Sequence, residues 1–169
     1  GAKRLPAEDV LALDAPAEPG QGGFTIAVPR LPRIANFDDL DPLRAEPGIR
    51  LVIVEPGRPI PRTADLIILP GSKSTRADLA ALHAEGWDID IRAHHRAGRP
   101  VFGICGGYQM LGRSIADPQG IEGDPGTSAG LGLLDVETTL APAKQLRLES
   151  ATHVATGEPL EGYHMHLGV

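Results

Sequence analysis

Four short apolar runs, at residues 24–28, 51–54, 66–69 and 100–104, recur between helix-like stretches, and they restrict the fold more than any other feature of the chain. An apolar run of strand length without polar alternation belongs to a strand covered on both faces. The intervening stretches 37–45, 75–83 and 88–97 read as helices, the last with Gly98 as its C-terminal cap. Strand and helix therefore alternate. The pattern predicts an α/β fold built on a doubly wound, mostly parallel sheet with helices on both faces, in which ligands bind beyond the carboxyl ends of the strands. Two glycine-rich loops, following residues 69 and 102, fall at that edge.

The pattern changes after Gly130. Residues 131–139, 145–149, 151–156 and 163–167 read as additional antiparallel strands flanking the sheet, and 117–129, rich in Gly, Pro and Asp, as a loop. Residues 1–23, punctuated by Pro6, Pro16, Pro19, Gly20, Gly22 and Gly23, read as a linker into a domain that begins at Phe24. With 169 residues, 41% hydrophobic and 22% charged, the chain suits one globular domain. A net charge of −6 without a Lys/Arg cluster argues against nucleic acid as a partner. No apolar segment approaches the roughly 18 residues of a membrane span, and a single cysteine fits a reducing cytoplasm.

That cysteine is the chemical centre of the sequence. Gly103-Ile104-Cys105-Gly106-Gly107 follows the fourth apolar run and precedes Tyr108-Gln109-Met110-Leu111, the pattern of a nucleophile elbow. Neighbours without Cβ atoms let a sharp turn and a substrate both come close, and the free N–H groups of a helix starting at Cys105 favour a thiolate. The alternative is a packed structural cysteine, a residue type often buried, but such a residue does not need three flanking glycines.

A thiolate nucleophile needs a base within reach. His83, His94 and His95 fall on outer helices and read as solvated, whereas His164 and His166 alternate on one face of a final strand, making one of them the candidate base. An exposed strand face or an adventitious metal pair is the other reading of these two; no further ligand at suitable spacing supports a metal. The loop Leu69-Pro70-Gly71-Ser72-Lys73-Ser74-Thr75 joins a strand to a helix. It lacks the first glycine of a nucleotide P-loop, so an oxyanion hole fits better, formed by the N–H of Gly106 and one from Gly71 or Ser72. Ser72 or Ser74 can cap the following helix at the same time.

These segments together resemble the class I glutamine amidotransferase domain, in the branch found in cobalamin biosynthesis. The resemblance rests on residues 32–43, which begin Pro-Arg-Ile-Ala-Asn, on the 69–75 loop followed by Asp78-Leu79, on Gly103 to Gly112, and on 130–136. It implies a flavodoxin-like fold in which Cys105 attacks the side-chain amide of L-glutamine, forms a glutamyl thioester and releases ammonia. His166 occupies the position of the catalytic histidine, and Gly71, Ser72, Gly106, Tyr108 and Gln109 fall in the oxyanion and substrate-binding segments.

The family further implies a synthetase domain of the same enzyme as partner. That domain binds ATP, Mg and the corrinoid substrate, while the amidotransferase domain itself needs no cofactor. On this basis residues 1–23 are an interdomain linker remnant and 24–169 the amidotransferase domain, ending short of the family's last strands. Two positions depart from the pattern. Gly168 stands where the wider class carries an orienting glutamate, and His164 where this branch usually has glutamate. A glutaminase serving cobyrinic acid a,c-diamide synthase or a lipid II amidating complex, or an inactive docking domain, are the competing expectations.

Overall fold

The computed structural model describes residues 23–168, and for 143–147 and 163–167 it describes the backbone. The expected linker, Gly23 apart, lies outside the described residues. Four parallel strands, β1 (Phe24–Pro29), β2 (Ile49–Val54), β3 (Leu66–Leu69) and β4 (Val101–Gly103), stand in the order β2-β1-β3-β4. Burial follows that order. Ile26, Ala27 and Val28 of β1 and Ile67, Ile68 and Leu69 of β3 are all buried, whereas Phe102 on the edge strand β4 is exposed. Each large side chain buried there contributes about 1.5–3 kcal/mol, so the two central strands carry the core.

A short 3₁₀ turn (Phe37–Leu40) and α1 (Asp41–Ala45) connect β1 to β2, and α2 (Thr75–Ala84) and α3 (Trp87–Arg96) connect β3 to β4. The chain steps one way from β1 to β2 and the other way from β3 to β4. Right-handed crossovers therefore place α1 and the α2–α3 pair on opposite faces. The reversal also opens a crevice beyond the carboxyl ends of β1 and β3, where such sheets bind ligands. Gly98, at φ +77°, ends α3 as expected, its N–H bonding to the carbonyl of His95 at 2.9 Å.

A second sheet follows. Its strands are β5 (Ser114–Asp117), β6 (Gly126–Ala129), β7 (Glu137–Thr152) and β8 (Pro159–Gly168), in the order β6-β5-β7-β8. β5 runs antiparallel to β6 but parallel to β7, and β7 and β8 form a long antiparallel hairpin.

Three expectations change here. The strand expected from Leu131 begins only at Glu137, because the N–H groups of Leu131, Gly132, Leu133 and Leu134 instead bond to carbonyls of Met110, Gly112 and Leu111 at 2.8–2.9 Å. The expected 117–129 loop ends in β6. The expected strand 151–156 stops at Thr152 and turns, with His153 and Glu158 closing the bend through a 2.8 Å backbone bond.

His94 is a fourth correction: it is buried rather than solvated, with Nε2 3.1 Å from the carbonyl of Pro100. The last turn of α3 leans on the start of β4 and takes the imidazole out of water.

Candidate active site

Cys105 links β4 to α4 (Gly106–Leu111), and it is exposed. Its backbone, at φ +49° and ψ −111°, lies outside the regions open to ordinary side chains, as an elbow requires. Two features hold the turn. The N–H of Ile104 extends the β3–β4 pairing by donating to the carbonyl of Leu69 at 2.9 Å, and Gly107 N–H donates to the carbonyl of Ile104 at 2.8 Å. A Cβ on Gly103 would come 2.5 Å from the backbone N of Tyr108, so the helix could not start so close behind the strand with any larger residue. The loop at 131–134 completes the support by satisfying carbonyls at the end of α4, groups a helix leaves without partners.

The loop after β3 lies against this elbow. A Cβ built on Gly71 would stand 3.8 Å from Cys105 Cβ, and one on Gly106 would stand 3.1 Å from the backbone N of Ser72. Residues 33–35 run beside the loop. Ile34 and Ser72 form an antiparallel bridge flanked by Ala35 N–H to Gly71 O at 2.9 Å and Lys73 N–H to Arg33 O at 2.8 Å. In such a pair the N–H of the bridged residue points away from its partner strand, so Ser72 N–H is directed away from Ile34. Ser74 occupies the N-cap position of α2 without a hydroxyl cap bond; the Ser72 hydroxyl accepts the Ser74 N–H at 3.0 Å and the Glu122 carboxylate accepts that of Arg76 at 2.9 Å.

Cys105, Tyr108, Gln109, Val136, Glu137, Thr138 and Gly168 line a cleft of about 200 Å³. Gln109 spans it: its Oε1 accepts from the Thr75 hydroxyl at 3.4 Å, and its Nε2 lies 2.5 Å from where a Cβ of Gly168 would be. The structure places Gly71, Ser72, Gly106, Tyr108 and Gln109 near Cys105. The side chains of His164 and His166 lie outside those described, and the backbone pairs them with Arg147 and Gln145 respectively. Gly168, two residues beyond His166, is at the cleft wall.

The sequence places Val136, Glu137 and Thr138 within a strand but not at the site; only the fold brings the start of β7 to the cleft. A larger recess of about 460 Å³, lined by Ile60, Asp90, His94 and Arg99 among others, sits at the opposite edge of the sheet.

Two buried carboxylates tie down segments of the fold, one of them the loop against Cys105. Asp78, in the first turn of α2, accepts the Ser72 hydroxyl at 2.6 Å and the Arg33 N–H at 3.1 Å; burial raises its pKa against these bonds. Asp117 accepts the N–H groups of Ile121 and Glu122, both at 2.8 Å, and lies 3.7 Å from Arg76. Burial works against its charge, but the two N–H groups and Arg76 outweigh it and hold the carboxyl below its ordinary range. Arg76 also donates to Ser128 Oγ at 3.1 Å and to the carbonyl of Asp124 at 2.6 Å, tying the segment 117–128 to α2.

Known proteins share this fold. A solved glutamine amidotransferase aligns over 83% of this chain and 70% of its own, with a TM-score of 0.58 at 21% identity. The PurLQS structure from Thermotoga maritima aligns over 86% and 67%, with a TM-score of 0.60 at 19% identity. Both likenesses bear on the fold. In sequence, the chain is 63% identical over 165 residues to a cobyric acid synthase of Rhizorhabdus wittichii, covering 98% of this chain and 34% of that protein. It is also 63% identical over 167 residues to a cobyric acid synthase of Rhodobacter capsulatus, covering 99% and 34%. The chain therefore spans about a third of the length of these relatives. The elbow, the loop against it and the strand order belong with one further match, to the CobB/CobQ-like glutamine amidotransferase domain over residues 25–169, and the chain is a member of that family.

Proposed function

We propose that this chain is the glutamine-hydrolysing domain of a cobyric acid synthase. Cys105 is the nucleophile. Its Sγ attacks the side-chain carbonyl carbon of L-glutamine while a base takes the thiol proton, and the negative charge that forms on oxygen is met by the N–H groups of Gly106 and of Ser72 or Gly71. Collapse of this tetrahedral adduct expels the amide nitrogen, which takes the proton back and leaves as ammonia. Water then attacks the glutamyl thioester, giving glutamate and the free thiol.

His166 is the base. It lies two residues before Gly168, which lines the cleft beside Cys105. Tyr108 and Gln109 form the wall against which the glutamine side chain lies. The ammonia serves a synthetase domain of the same enzyme, where ATP and Mg drive amidation of adenosylcobyrinic acid a,c-diamide; this domain itself uses no cofactor. The setting is the cytoplasm, and no helix among the described residues is long and apolar enough to cross a membrane.

The observation that supports this reading most is the juxtaposition of a strained, exposed thiol with two backbone segments, one at the start of α4 and one after β3. Ammonia release from L-glutamine tests it. The chain is expected to turn glutamine over and Cys105→Ala to fall to background; equal turnover by both removes Cys105 from the chemistry.

A further inference from the structure

We infer that Asp78 is a positioning residue for the oxyanion hole, holding the backbone of Ser72 in register with Gly106; the inference rests on the glutaminase reading above. Asp78 touches none of the reacting atoms. It acts through two segments that approach Cys105 from different parts of the chain, 33–35 after β1 and 70–74 after β3. One carboxylate oxygen accepts the backbone N–H of Arg33 at 3.1 Å and the other accepts the hydroxyl of Ser72 at 2.6 Å, so a single buried side chain joins both.

The chain of contacts continues toward the thiol. The Ser72 hydroxyl that donates to Asp78 also accepts the N–H of Ser74 at 3.0 Å, which fixes the turn that follows Ser72. The bridge between Ile34 and Ser72 directs the Ser72 N–H away from Ile34, and Ser72 N lies 3.1 Å from where a Cβ of Gly106 would stand. The register of the bridge thus decides where that N–H sits. Asp78 in turn sits in the first turn of a ten-residue helix packed by Leu79 and Leu82 in the core, so its carboxylate is a fixed anchor rather than a mobile one.

The chemistry requires such an anchor. An oxyanion donor works only if it is already in place when charge develops, and a shift of about 1 Å in a catalytic group can cost about 100-fold in rate. Two backbone bonds, Ala35 to Gly71 and Lys73 to Arg33, also join the two loop segments. Asn at position 78 keeps the shape but puts an NH2 donor in place of one acceptor oxygen and removes the charge, so the charge-assisted bond from the Ser72 hydroxyl or from the Arg33 N–H is lost.

The test compares the wild-type chain with Asp78→Asn and Ser72→Ala, the latter removing the hydroxyl and leaving the backbone N–H. Glutamine turnover, glutamine KM and the rate of Cys105 alkylation by iodoacetamide, a reaction that needs the thiolate and no oxyanion donor, are measured on each. Both variants are expected to lose about 10- to 100-fold in kcat with KM held within about threefold and alkylation within about twofold. Unchanged kcat in Asp78→Asn overturns the inference. So does a fall in kcat matched by an equal fall in alkylation, which marks a general loss of structure, and Ser72→Ala decides by the same criteria if Asp78→Asn does not fold. A wild-type chain whose turnover survives Cys105→Ala overturns the glutaminase reading, and this inference with it, while loss of turnover in Cys105→Ala together with normal kcat in Asp78→Asn overturns the inference alone.

Discussion

The carbonyl oxygen of Leu69 occupies the space where a side chain on Gly107 would begin: a Cβ there would lie 2.2 Å from it. The same oxygen accepts the N–H of Ile104, so one backbone atom at the end of β3 both aligns the strand leading to Cys105 and limits the helix leaving it. Gly107→Ala must push β3 and α4 apart. We expect a loss of about 1–3 kcal/mol in stability and a fall in glutamine turnover larger than the loss of folded protein explains. Thermal melting beside turnover measures both, and an unchanged melting curve would count against so tight a contact.

Arg76 holds the segment between β5 and β6 to the start of α2 through Ser128, Asp124 and Asp117. Arg76→Met keeps much of the aliphatic stem and removes every donor. Faster proteolytic cleavage within 118–126 is expected, with a stability loss of about 1.5–3 kcal/mol for the charged hydrogen bonds. Cleavage at the wild-type rate would mean that the segment is held by its own β5–β6 pairing.

Asp117 makes this dependence visible in pH. Although burial alone would raise its pKa, the N–H groups of Glu122 and Ile121 and the charge of Arg76 leave it lowered from the ordinary value of 3.8. The folded chain therefore binds fewer protons at this group than the unfolded chain. The stabilisation is complete above that ordinary value and is lost as pH falls through it toward the lower folded value. Asp117→Asn should be less stable than wild type at neutral pH, and the gap should close in acid below about pH 4. A gap that stays constant with pH would show that the charge is not what matters.

His94 gives the opposite kind of group with the same sense of change. Burial first, and then Arg99, lower its pKa from 6.5 against the Pro100 carbonyl, which favours the charged ring. The unfolded chain takes up a proton at this ring before the folded chain does, so stability falls as pH drops below 6.5 toward the folded value. His94→Gln, which keeps a donor for Pro100, should flatten the decline in melting temperature between about pH 7.5 and 5.5. An equally steep decline in the variant would assign the effect to other histidines.

Much of the sheet and the elbow was legible because burial on both faces leaves a direct trace. Residues 26–28 and 67–69 are buried because β1 and β3 are central, and Cys105 stands between glycines because backbone atoms lie where side chains would be. Elsewhere the trace misleads. Leu131 is buried and Leu133 and Leu134 pack against the core, but their N–H groups bond to the end of α4, and apolar content alone does not distinguish such a loop from a strand. β6, Gly-Thr-Ser-Ala, has no large apolar residue, so its pairing with β5 is written in the backbone rather than in the side chains. In the sequence Asp78 figures only as part of a resemblance, with no role attached; the fold alone brings Arg33 and Ser72 to it.

The segments at the cleft or packed directly behind it, near residues 35, 71, 105, 137 and 168, are distributed almost evenly along the described chain. No contiguous fragment contains the site, and its contacts are long-range by construction of the topology. Such contacts form only after large loops have closed, so the pocket is among the last things to exist during folding. Glutamine-site reactivity should consequently appear in step with global refolding and never ahead of it, which makes Cys105 a clock for completion of the fold.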